Sequence, residues 1–205
     1  LIQINSYISS SFLARMKGKL SVDIKYLILS LLLLAGFSLT SYSQKNISGK
    51  INKYGRVESI GVDNVVVDAA SYGNFNVGDT VLLIQMKGVA MIGLEGASFG
   101  SAIKFVGDPG RAEFLTIESK PGGNQINFRN DIANTLFNTQ GYLQLVRVPS
   151  FNFAVVDSKL ECEPWDSTTK TGGVLTAIIG RTLSLQADID VSGQGFKGGD
   201  TTKSL

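Results

Sequence analysis

Strict alternation of apolar and polar residues is the strongest signal in this chain. Over 182–192, TLSLQADIDVS, Leu183, Leu185, Ala187, Ile189 and Val191 alternate with Thr182, Ser184, Gln186, Asp188, Asp190 and Ser192. Successive side chains on a strand point to opposite faces, so this spacing predicts a strand with one buried face and one wet face. FLTIESKPGGNQINF predicts a hairpin with strands over 112–119 and 124–128, turning at Pro121-Gly122-Gly123-Asn124. RVESIGVDNVVVDA predicts two short strands that turn at Asp63-Asn64. FNVGDTVLLIQMKG turns at Gly78-Asp79 and then runs apolar on both faces, as a central strand does. GYLQLVRVP is a further strand, ended by Pro149, and GGVLTAIIG reads as another buried one. The helical candidate is NDIANTLFN (130–138), long enough for two turns, with Asn130 or Asp131 as its cap.

Five or six short strands between 47 and 148, separated by Gly, Asp and Asn turns, predict an all-β fold: a small barrel or sandwich over 44–150. A second β module, of β-helix-like character, is expected over 151–205. Its last strand would leave an unpaired edge followed by the glycine-rich GQGFKGGDTTKSL, so more β structure is expected to follow residue 205.

A different pattern precedes the strands. Met16 opens MKGKLSVDIK, then YLILSLLLLAGF (26–37) is almost wholly apolar, then SLTSYSQ is small and polar. This three-part layout over 16–43 is that of a secretory signal, with Ser41 and Ser43 placing cleavage before Gln44. Twelve helical residues reach roughly 18 Å against a hydrocarbon core of about 30 Å, so no permanent membrane span is expected. Residues 1–15 precede the first methionine and read as upstream translation. The expected destination is therefore secretion or the cell surface.

Charge narrows the partners. The net charge of +2 over 205 residues arises in the leader, where Arg15, Lys17, Lys19 and Lys25 face only Asp23. Residues 44–205 carry 15 basic and 16 acidic residues, so nothing selects for nucleic acid. The expected partners are an extracellular glycan or a surface protein.

Three stretches carry a resemblance to a known group of proteins. RVESIGVDNVVVDAASYGNFNVGDTVLLIQMKGV, GYLQLVRVPSFNFAVV and PWDSTTKTGGVLTAIIGRTLSLQADIDVSGQGFKGG are similar to the amino-terminal region of very large exported surface proteins of gliding bacteria. The resemblance covers roughly residues 55–200. It implies an adhesin-like protein of the type IX secretion route, and it implies no catalytic residues. The carboxy-terminal sorting domain that often ends such proteins is not in this sequence, nor is a gliding-motility-associated domain.

Two catalytic patterns fail on their chemistry. Gly96-Ala97-Ser98-Phe99-Gly100 spells G-x-S-x-G, but the chain has no histidine to take the serine proton. Lys87 and Lys104 remain as bases, yet lysine dyads do not use this elbow. Gly193-Gln194-Gly195-Phe196-Lys197-Gly198 spells G-x-G-x-x-G, but no helix-forming run and no acidic residue some twenty positions on can follow it. No zinc set is expected with one thiol and no histidine.

Two weaker chemistries stay open. Asp188 and Asp190 would share one strand face about 6.8 Å apart, and with Asp200 they form a candidate calcium site, although Gly199 stands where an EF-hand has its glutamate. Calcium is accordingly the one cofactor considered. Trp165 could stack on a sugar ring if exposed, or pack in a core or cover a sheet end. Cys162 lies between Glu161 and Glu163, whose charge disfavours a thiolate; it reads as a half-buried strand residue or as half of a disulfide to a further segment. The reading these features support is a non-catalytic, adhesin-like display module. The alternatives are an accessory β domain of a polysaccharide-acting enzyme and a carbohydrate-binding module.

Overall fold

The computed structural model describes residues 24, 26, 44–92, 102–105, 107–133 and 135–196. The chain divides into a unit Leu1–Tyr42 and a compact unit Ser43–Leu205. In the first, Ile24 and Tyr26 are helical. The second is all-β, with eleven strands among its described residues. No helix among the described residues is long and apolar enough to cross a membrane.

Six strands close a barrel: β2 (Lys53–Ile60), β3 (Asn64–Val67), β4 (Thr80–Gln85), β7 (Ala112–Gly122), β8 (Gln125–Phe128) and β9 (Leu143–Val148). Their order around the wall is β2-β3-β8-β7-β4-β9, and every pair is antiparallel. Two strands turn the corners. The first half of β2 pairs with β9 and the second half with β3. Likewise β7 gives its first half to β4 and its second to β8, with a register shift after Ile117. Strands that change partner at a bulge are how a short sheet folds over onto itself and removes its edges.

Alternation decides what fills the barrel. Val57, Val65, Val67, Val81, Leu83, Leu115, Ile117, Ile126, Leu143 and Leu145 point inward, with Phe75, Phe128, Ile132 and Phe137 completing the core. Each such side chain contributes about 1.5–3 kcal/mol relative to leaving it in water. Leu82 and Val146 point outward yet are buried, beside Tyr54 and Val148, because a later segment covers that wall. This explains why VLLIQ is apolar on both faces.

The second sheet is parallel throughout, in the order β1-β10-β11: β1 (Lys45–Lys50), β10 (Ser150–Glu161) and β11 (Ile178–Leu185). The first strand, expected within the barrel domain, belongs instead to this sheet. The barrel is thus an insertion between two hydrogen-bonded neighbours, β1 and β10. Only Ile51 and Asn52 lead into it, and only Pro149 leads out. A separate hairpin pairs β5 (Val89–Ile92) with β6 (Ala102–Phe105).

Several expectations are corrected in detail. The 112–128 hairpin turns at Gly123-Asn124 rather than over four residues. Both have φ of 60°, the left-handed pair that a two-residue hairpin turn needs. The strand expected over 182–192 ends at Leu185, where the backbone N–H groups of Gln186 and Ala187 both donate to the Val156 carbonyl and bend the chain. Its expected buried face is open: Leu185 is 61% exposed. GGVLTAIIG is not a buried strand either. Residues 172–177 are irregular and lie against the barrel wall, and β11 starts only at Ile178. The helix over 130–138 is absent from the described residues. There Ala133 N–H donates to the Glu113 carboxylate and Asn138 N–H to the Gln85 side chain, so tertiary partners replace the helical ladder.

Candidate functional site at the junction of barrel and stack

The loop from β10 to β11 crosses the outer wall of β2 and β9, and three polar side chains stitch it there. Asn52, 2% exposed, sits between the parallel sheet and the barrel. Its Nδ2 donates to the carbonyls of Arg147 (2.9 Å) and Thr176 (2.7 Å), and its Oδ1 accepts from Thr176 N–H (3.0 Å). Tyr54 donates its hydroxyl to the Val174 carbonyl at 2.7 Å. Gln144, fully buried, donates Nε2–H to the Gly172 carbonyl and accepts Gly172 N–H, both at 3.0 Å. An irregular segment beside an apolar wall must satisfy its backbone somewhere, and these side chains do it. A third buried amide stands at the end of β4. Gln85, 1% exposed, bonds the Lys87 carbonyl and both backbone groups of Asn138.

An aromatic cluster flanks this junction. The Trp165 ring lies 4.8 Å from Phe196 and 6.3 Å from Tyr142, in tilted geometry. The ammonium of Lys87 stands 5.1 Å, and that of Lys170 4.8 Å, from the centre of the Tyr142 ring, within range of a cation–π attraction. Tyr142 (φ 55°) and Lys170 (φ 62°) both hold left-handed backbone, which costs a non-glycine residue about 1–3 kcal/mol and persists only where surroundings impose it. A polar groove of about 300 Å³ runs nearby, lined by Asn52, Lys53, Asn74, Glu163, Asp166 and Thr171 among others. Trp165 is half-buried: its backbone N–H donates to the Gln194 carbonyl, and its ring packs against Tyr142 and Phe196.

The carboxylates considered for calcium are arranged differently from the expectation. Asp188 and Asp190 lie past the end of β11. Asp190 accepts Ser192 N–H at 2.9 Å and pairs with Lys159 at 3.2 Å, which brings its pKa down to about 2, the Ser192 bonds being the largest cause. Asp188 is exposed, and its backbone carbonyl accepts from Leu160 N–H. Asp200 lies outside the described residues, as do Ser98, its flanking glycines, Lys197 and Gly198. Gly193 and Gly195 fall in a turn after β11.

Cys162 is 1% exposed, and its Sγ donates to the Gln194 side-chain oxygen at 3.1 Å. Burial pushes its pKa up first, and Glu161 and Glu163 add to it; the sequence pointed only to the second cause. The buried thiol is closed to an incoming disulfide partner while this packing holds. Tyr54 is likewise pushed up by burial. Asp166 is lowered by bonds from Thr168 and Thr169, and Lys50 is raised by Glu163. Burial accounts first for the two raised acids, Cys162 and Tyr54, and direct hydrogen bonds for Asp166 and Lys50.

Asn52, Tyr54, Gln144, Gln85 and Tyr142 were not singled out by sequence. A lone glutamine flanked by Leu143 and Leu145 was the available signal, but strand periodicity sends such a residue outward, and only the covering loop buries it. The chain matches no protein-family model, no curated protein and no solved structure.

Proposed function

We propose that this chain is a non-catalytic, exported, adhesin-like module that displays a β-barrel on a parallel β-stack. The observation that carries this reading is the double attachment of the barrel: it enters and leaves through adjacent strands of one sheet and is clamped again by Asn52, Tyr54 and Gln144. Two tethers between paired strands hold the barrel to the stack more tightly than one flexible linker would. A surface held rigid loses less freedom on binding.

The test is fractionation of bacteria expressing the full chain, followed by amino-terminal sequencing and assay of the exported form. The expected product begins at Gln44, lies outside the cytosol and turns over no chromogenic ester or glycoside. An intact leader in the cytosol, or steady turnover, overturns the reading.

One observation favours a carbohydrate-binding module as the second reading. Tyr142, Trp165 and Phe196 form an aromatic surface edged by Lys87 and Lys170, a composition suited to an acidic sugar. Retention of the exported form on a glycan array, lost on Trp165→Ala, selects this reading.

A further inference from the structure

The parallel sheet carries continuous rows of side chains, and those rows stop in solvent. Ile47, Val156 and Leu185 stand in register across β1, β10 and β11. Ala154 stands beside Leu183, and Leu160 beside Ile189. Ile47, Ala154, Val156 and Leu160 are buried, whereas Leu183, Leu185, Ile189 and Val191 are 39–61% exposed. The same row is thus covered at one end of the sheet and bare at the other. Among the described residues β11 pairs only with β10, leaving its outer edge free of a strand.

The two rungs match beyond their strands. Ala154 and Leu183, Val156 and Leu185, and Leu160 and Ile189 are each 29 residues apart. Past the strand ends the chain retraces its own path: Asp190 N–H donates to the Leu160 carbonyl, and Trp165 N–H to that of Gln194. Corner is stacked on corner as strand is on strand. A shallow depression of about 350 Å³ follows Leu185–Ile189 along the bare side.

We infer that β11 is an acceptor edge for one further parallel strand, an extended segment with aliphatic side chains opposite Leu183, Leu185 and Ile189, forming the next rung of the stack. The occupant is chosen by continuity with the β10–β11 pairing, and the inference stands apart from the proposed function. A two-fold mate pairing parallel through β11 would turn its own apolar row to the opposite face. An antiparallel mate would run away from the corner at 189–194 and could not continue its stacking. The β1 edge of a second copy, in the same register, would set Lys45 against Leu183. Parallel strand addition supplies backbone bonds for affinity, and alternate side chains supply selectivity.

The test uses the compact unit Ser43–Leu205, whose three hydrophobic clusters all lie within it. The probe is a synthetic 14-residue peptide alternating valine or leucine with threonine, against a control with the aliphatic positions changed to asparagine. The aliphatic peptide is expected to slow amide exchange across Thr182–Leu185, and Leu185→Lys, a change at an exposed site, to weaken its binding at least tenfold with unfolding unchanged. A nitroxide on the peptide amino terminus is expected to broaden resonances near Ile178. Equal binding of the two peptides, no binding, broadening near Leu185 instead, or a dimer of the protein that excludes the peptide would each overturn the inference.

Discussion

Gln144 and Gly172 bond each other twice, side-chain amide to backbone amide, across 28 residues and fully out of water. The pair fastens the loop between β10 and β11 to the barrel wall, and Asn52 and Tyr54 fasten the same loop at Thr176 and Val174. An amide in this position completes a sheet-like ladder that the irregular loop cannot make for itself.

Gln144→Leu leaves the Gly172 backbone groups buried without partners, a cost of about 1–3 kcal/mol for each such group. Urea denaturation is expected to show that loss, with a smaller one of about 1 kcal/mol for Tyr54→Phe. The double variant is expected to lose less than the sum, because either change loosens the same loop. Simple additivity would show that the two clamps act separately.

Gly172 and Gly193 both have left-handed backbone, at φ of 101° and 69°. A Cβ on Gly172 would lie 2.3 Å from the Pro164 carbonyl oxygen, whereas one on Gly193 would meet open space. Gly193→Ala is expected to cost roughly 1–2 kcal/mol from backbone strain alone. Gly172→Ala adds a backbone clash and is expected to exceed about 4 kcal/mol. Comparable denaturation midpoints for the two variants would refute the clash.

Two groups set opposite limits with pH. Burial raises Tyr54 above its unfolded value of about 10, so the folded state keeps a proton that the unfolded chain gives up. Stability is therefore expected to fall as pH rises above about 10, and less so in Tyr54→Phe. Asp190, held down to about 2, acts the other way. Its contribution is present above the unfolded value of about 3.9 and is lost as pH falls through about 2. An NMR titration is expected to place the Asp190 carboxyl near 2, moving upward in Lys159→Ala. A carboxyl titrating at its ordinary value would contradict the Ser192 and Lys159 contacts.

Trp165 is the only tryptophan in the chain, so its fluorescence reports on the aromatic cluster alone. Phe196→Ala is expected to red-shift the emission and to cost about 0.5–1.5 kcal/mol for the lost ring pair. An unchanged spectrum would mean that the segment after β11 is not docked on the indole in solution.

Strand content, most turn positions and the all-β class could be read from sequence because they follow from local rules. Alternation sorts Val81 from Leu82 and Val65 from Val66, and the Gly123-Asn124 turn needs only two residues with positive φ. Which strands become neighbours does not follow from local rules. β1 and β10 are separated by about a hundred residues, and nothing in KNISGK distinguishes a barrel strand from a rung of a parallel sheet. The same limit applies to the buried amides, since Gln144 is polar by sequence and buried only because a loop from elsewhere lies over it. Periodicity assigned Leu185 and Ile189 a buried face. Among the described residues that face is bare, because burial requires a covering partner as well as a pattern, and β11 stands last in its sheet there.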